Sequence, residues 1–229
     1  IDWWLGKGGG VDFTNPEAVT WWGQAQKKVL DQGIRFYKND GGEYIPEDAQ
    51  AHNGLTGSEL HNIYALYYAK AVYEETQKTA PNQRVMVFSR STWAGSQRYP
   101  GIFLGDQMPE FKYMQSTMQC GLNMSMQGFA YWCADTLGLY RVPGKEEHLR
   151  YPQWTLFNPI SRYFSTHKSK REPWGRGADN EESFRVHATL KMRLLPIYYR
   201  LAYEAWEKGL PIVRPLVMEF QQDQSTENI

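Results

Sequence analysis

The feature that most constrains this chain is a rhythm of short apolar runs alternating with long amphipathic ones. "IRFY" at 34–37 is apolar and aromatic, and so are the runs near 85–89, 101–104, 128–132 and 211–217. Between them lie "TNPEAVTWWGQAQKKVLDQG", "GSELHNIYALYYAKAVYEETQK", "PEFKYMQSTMQCG" and "EESFRVHATLKMRLLPIYYRLAYEAWEKG". These carry apolar residues at helical spacing. No two adjacent runs read as a hairpin. Strands separated by helices must cross over, so the pattern predicts a parallel sheet covered by helices. The expected fold class is α/β. With further strands upstream, a (β/α)8 barrel accounts for it better than an open doubly wound sheet.

Helix ends are written locally. Thr14 or Asn15 caps the first helix, Pro16 suits its first turn, Glu17 faces the positive end of the helix dipole and Gly33 stops it. The last helix is read as one unbroken element running to Gly209. No glycine fingerprint for a dinucleotide follows the first strand. "GKGGG" at 6–10 lacks the spacing and the Ser or Thr of a phosphate loop.

Polar residues stand at the C-terminal ends of successive strands: Asp40, Arg90, Asp106 and Asp135. In a parallel α/β fold those ends carry the active site. Asp40 ends an aromatic run and is followed by two glycines and Glu43, in "FYKNDGGEYIP". Glycines beside an acid let the chain turn sharply and let a ligand approach closely. Two carboxylates, an arginine and a wealth of aromatic residues point to acid–base or covalent chemistry on a polyhydroxyl substrate. Aromatic residues make up 15% of the chain, with nine Trp, enough to stack on sugar rings after the core is filled.

Other classes find no support. Lys plus Arg equals Asp plus Glu at 25 each, so there is no basic excess for nucleic acid. No apolar run approaches the roughly 20 residues of a membrane span. Cys120 and Cys133 give neither a disulfide framework nor metal spacing, and the five histidines show no metal-site pattern. No metal and no cofactor is expected. "NMS" at 123–125 is a glycosylation triplet of a kind that arises often by chance, and "KSKRE" at 168–172 reads as a solvated loop. The opening "IDWWLG" and the closing "QQDQSTENI" read as mid-protein. The expectation is one partial barrel over residues 1–223, about strands four to eight, with 224–229 beginning the next segment. Compartment, cytoplasmic or secreted, and homo-oligomerisation of the full-length protein stay open.

The motifs resemble glycoside hydrolase family 31, the α-glucosidase and α-xylosidase family. The resemblance covers about residues 8–223. "DFTNPEAVTWW" is similar to the segment before the family's nucleophile strand, and "YKNDGGE" to its nucleophile motif in the Lys-x-Asp-x-Gly-Glu form of α-xylosidase-like branches. "SRSTWAGSQRYPGIFLGDQ" resembles the acid/base motif, "GFAYWCADTLGLY" the Trp-x-x-Asp-Ile-Gly-Gly-Phe segment, and "LFNPISRYFSTHKSKREPW" the stretch that supplies a substrate-binding His. "PIVRPLVMEF" is similar to the last barrel strand.

The resemblance implies a retaining hydrolase of α-glycosides. Asp40 would be the nucleophile and Asp106 the general acid, then base. Arg90, Asp135 and His167 would hydrogen-bond the sugar, Glu43 would orient the nucleophile region, and Trp93, Phe103 and Trp132 would wall the subsite or fill the core. The partner implied is a carbohydrate. Two departures leave the sugar open among glucose, xylose, galactose and sulfoquinovose: Thr136-Leu137 replaces the usual Ile-Gly, and Gln107 follows the acid/base where many α-glucosidases have Asn. Transglycosylation with the same residues, or a non-catalytic carbohydrate-binding role, are the rival functions. A fragment lacking strands and flanking β-domains is expected to be inactive alone.

Overall fold

The computed structural model describes residues 2–3, 6–99, 101–166 and 170–226. The elements in chain order are β1 (Asp2–Trp3), β2 (Gly6–Lys7), α1 (Pro16–Leu30), β3 (Phe36–Asn39), α2 (Gly57–Thr79), β4 (Met86–Ser89), β5 (Ile102–Phe103), α3 (Phe111–Met126), β6 (Trp132–Cys133), β7 (Asp135–Thr136), α4 (Lys145–Thr155), β8 (Arg162–Tyr163), α5 (Ala178–Arg193), α6 (Leu195–Lys208) and α7 (Leu216–Glu219). The chain divides into two compact units, Ile1–Ile102 and Phe103–Ile229.

In the first unit β3 and β4 run parallel in register, Phe36 opposite Met86 through Asn39 opposite Ser89. Ser89 continues the parallel pairing to Ile102 at the start of β5. Helix α2 lies between β3 and β4 and makes the crossover that parallel strands require. Local chemistry places α1 and α2. Asn15 caps α1 by accepting from the Glu17 amide at 2.9 Å. Thr56 and Glu59 cap α2 reciprocally, the Thr56 amide donating to Glu59 Oε2 at 2.9 Å. Their apolar faces meet around Phe13, Leu60, Tyr64 and Ala71. Phe13 stacks on Tyr68 at 5.2 Å and meets Trp22 edge-on at 5.5 Å.

The second unit is built on Trp132, Cys133, Ala134, Leu137 and Tyr151, all buried. The Leu104 amide donates to Cys133 O at 2.8 Å, and β7 pairs parallel with β8, Asp135 opposite Arg162. Gly121 on α3 lies directly over the Trp132 indole: a Cβ there would stand 2.5 Å from the ring. The close approach is what admits so large a side chain to the core.

Five expectations are corrected. The single long helix ending at Gly209 is two, α5 and α6, broken at Leu194. Pro196, in the first turn of α6, has no N–H to continue the ladder and its ring crowds the carbonyl four residues back. The run 211–217 is not a strand; it leads through Pro215 into α7. Pro211 and Pro215 lack amide donors, so the segment cannot sit inside a ladder. A short antiparallel hairpin, β1 with β2, opens the chain where none was read. Asp135 does not close a strand but begins β7, which finds its partner in β8, a strand too short to announce itself. "KSKRE" is not wholly a solvated loop, because Arg171 is buried.

Candidate functional site

Asp40 follows the last residue of β3, and Arg90 follows the last residue of β4. Because the two strands are in register, the Arg90 amide donates to Asn39 O at 3.0 Å. The guanidinium therefore meets the carboxylate, with Arg90 Nη1 2.9 Å from Asp40 Oδ1. Lys38 stands two residues before Asp40, on the same face of the strand, and its Nζ is 2.9 Å from Oδ2. Burial pushes the Asp40 carboxyl upward, but Lys38, Arg90 and the Gly41 amide outweigh it and hold it below the ordinary carboxylate value. It is ionised, half open to solvent and oriented by two cations.

Gly41 and Gly42 take the chain round the turn with φ of 75° and 97°, in the left-handed region. A Cβ on Gly42 would lie 3.4 Å from the Tyr68 ring and 3.6 Å from Ser91 Cβ. The turn returns Glu43 to Arg90, which is ion-paired with it as well as with Asp40. Arg90 thus bridges the two acids. Ser91 Oγ lies 2.7 Å from Glu43 Oε2 and 2.9 Å from Gly41 O. A cleft beside this turn is lined by Gly8, Gly9, Gly10, Gly42, Tyr44, Ile45 and Tyr64.

In the second unit Asp106 lies exposed after β5. Asp135 is different: its side chain is wholly buried and ion-paired with Arg162. The Arg162 guanidinium is sandwiched between Phe103 and Phe164, 4.7 Å from each ring. The loop after Asp135 bends through Leu137 and Arg141 at φ of 68° and 60°. Leu137 thus holds a left-handed conformation that a side-chain-bearing residue seldom adopts. Arg171 stabilises that bend by donating to Leu137 O, Tyr140 O and Arg141 O, each at 3.0 Å. The Gln107 side-chain amide donates to Asp135 O at 3.1 Å, which ties the residue after Asp106 to this loop.

Within the first unit Asp40, Glu43 and Arg90 are brought together as one cluster. Trp93 is exposed on that unit's surface, whereas Phe103 and Trp132 are core residues, and Trp132 donates its indole N–H to Ser125 Oγ at 2.9 Å. His167 lies outside the described residues. Lys38, Ser91, Arg162 and Arg171 were not singled out from sequence. Lys38 was findable from the two-residue period of a strand; Arg162 and Arg171 carried no local signal. Among the described residues no group of three His, Cys, Asp or Glu side chains is arranged to hold a metal ion, and no helix is long and apolar enough to cross a membrane.

Parallel strands in register, with a crossover helix and acids set just beyond the strand ends, define an α/β protein with a parallel sheet. The chain belongs to glycosyl hydrolases family 31, whose TIM-barrel domain matches residues 1–201. It is 33% identical over 217 residues to the alpha-xylosidase of Emericella nidulans, covering 94% of this chain and 28% of that protein. It is 30% identical over 240 residues to human neutral alpha-glucosidase AB, covering 99% of this chain and 25% of that one. Among solved structures it is similar to the Flavobacterium johnsoniae family 31 dextranase complexed with glucose, with a TM-score of 0.90 and 34% identity over 99% of this chain and 30% of the dextranase. The chain therefore spans under a third of the length of these relatives.

Proposed function

We propose that the protein is a retaining glycosidase acting on terminal α-linked sugars, of the α-glucosidase or α-xylosidase type. Asp40 attacks the anomeric carbon while Asp106 protonates the departing glycosidic oxygen, leaving a sugar esterified to Asp40. Asp106, now a carboxylate, takes a proton from water, and the water oxygen displaces Asp40 with a second inversion. Configuration is retained and both carboxyl groups return to their starting states. Arg90, Asp135 and His167 serve as the sugar-binding groups. The observation that carries the reading is the ionised Asp40 carboxylate just beyond a parallel strand, oriented by Lys38 and Arg90. A nucleophile must be unprotonated when substrate arrives, and Lys38 and Arg90 favour that form of Asp40.

In the intact protein, Asp40→Ala is expected to abolish turnover of aryl α-glycosides, with azide restoring it and giving the inverted glycosyl azide. Asp106→Ala with azide is expected to give the retained product. An Asp40→Ala protein with more than a few percent of activity would falsify the assignment. An activated fluorosugar is expected to attach within residues 36–46, located by peptide mapping.

A further inference from the structure

Ser91 stands immediately after Arg90 and faces the turn that follows Asp40. Its hydroxyl oxygen has two acceptors within reach, Gly41 O at 2.9 Å and Glu43 Oε2 at 2.7 Å. A serine hydroxyl carries one proton, so it can donate to only one of them at a time. The two acceptors flank Gly42, and both belong to the left-handed turn that sets the direction of the chain leaving Asp40. Without side chains, Gly41 and Gly42 do little to hold that turn themselves. Support comes from the segment just after β4: Arg90 on the two carboxylates, and Ser91 with the Gly41 carbonyl and Glu43 within reach of its hydroxyl.

We infer that Ser91 is a positioning residue for Asp40: its hydroxyl clasps the Gly41–Glu43 turn and so fixes the direction from which the Asp40 carboxylate approaches the sugar. The inference rests on the reading of Asp40 as nucleophile. It acts through Glu43, which is held at one oxygen by Arg90 and at the other by Ser91. Loss of the hydroxyl removes the one donor that Glu43 Oε2 and the Gly41 carbonyl share. Arg90 can then draw Glu43 away from the turn, and Asp40, which shares that guanidinium, shifts with it.

The test uses the intact protein with Ser91→Ala, Ser91→Thr, Glu43→Gln and the double variant Ser91→Ala/Glu43→Gln. Ser91→Ala is expected to lower kcat about tenfold, the low end of what a hydrogen bond to a charged group is worth, with KM little changed. The rate of covalent labelling by an activated fluorosugar should fall by a similar factor. Ser91→Thr, which keeps the hydroxyl, should recover most of both. The double variant should be little worse than the poorer single one, because both changes break the same clasp. Wild-type kcat and labelling rate in Ser91→Ala, or independent multiplication of the two defects, overturns the inference. If Ser91→Ala does not fold, the decision passes to Ser91→Thr and Glu43→Gln: full-rate Glu43→Gln overturns it, and a slowed Glu43→Gln with near-wild-type Ser91→Thr upholds it. Failure of the underlying reading looks different, since an active Asp40→Ala protein would sink the nucleophile whatever Ser91 does.

Discussion

Arg162→Met is the substitution whose consequence the structure sets most sharply. Asp135 is fully buried, so in this variant its carboxylate loses its cation without gaining the solvation of an exposed acid. Breaking a buried pair by removing one partner costs about 3–5 kcal/mol, because the remaining charge is uncompensated. Loss of the stacking on Phe103 and Phe164 adds about 0.5–1 kcal/mol per ring, while the positive charge of Arg171 nearby offsets part of the total. With the stacking loss and the Arg171 charge set against each other the net is about 3–5 kcal/mol, and at about 2–4 °C per kcal/mol for a domain of about 150–250 residues Tm should fall by roughly 6–20 °C. The assay is equilibrium unfolding of the purified protein followed by tryptophan fluorescence, with the Arg162→Met/Asp135→Leu double variant alongside. Removing both partners leaves no orphaned charge, so the double variant should regain most of the loss. The penalty should also shrink as pH falls, because an unpaired buried carboxyl takes up a proton more readily than an unfolded one. A loss under about 1 kcal/mol, or a double variant no better than Arg162→Met, would refute the claim that this pair carries a compensated charge in the core.

Three further outcomes can be checked. Lys38→Met removes a hydrogen bond and a charge that hold the Asp40 carboxyl low, so the acid limb of kcat/KM should move to higher pH; an unmoved limb would mean that another group sets it. Gly101→Ala should destabilise by about 2–4 kcal/mol in chemical denaturation, since Gly101 has a φ of 117° and a Cβ would stand 2.6 Å from Phe88 Cβ and from Val87 O. Burial, then the charges of Arg176 and Arg171, lower the His148 pKa to about 4. The unfolded chain therefore binds this proton first, and its contribution to stability is complete above the ordinary histidine value and is lost as pH falls toward 4. His148→Gln should flatten stability between pH 4 and about 6.5, measured by denaturant midpoints across that range.

What the sequence determined by itself was whatever neighbouring residues settle between themselves. Asn15, and Thr56 with Glu59, mark helix starts because a side chain three residues away or less satisfies the open amides. The apolar runs near 34–37, 85–89 and 101–104 declared parallel strands, and the acid or arginine just past each of them was placed by the end of the strand alone. That is why Asp40, Arg90 and Asp106 were legible. Pro196 was legible too, but the apolar period running through it masked a break that the ring enforces. Other features needed the folded chain. The pairing of β7 with β8 joins residues 27 apart through one pair of two-residue strands, and no local pattern encodes that partnership. Arg171 sits in a run of charges that reads as solvated; its burial follows only once the left-handed bend at Leu137 and Arg141 presents three carbonyls to one guanidinium. Ser91 looked like an ordinary residue of a motif until the register of β3 on β4 set it beside Gly41 and Glu43. Propensity and capping depend on a few bonds of separation and can be read along the chain. The partner of a buried charge depends on which distant segment is folded against it, and only the tertiary structure decides that.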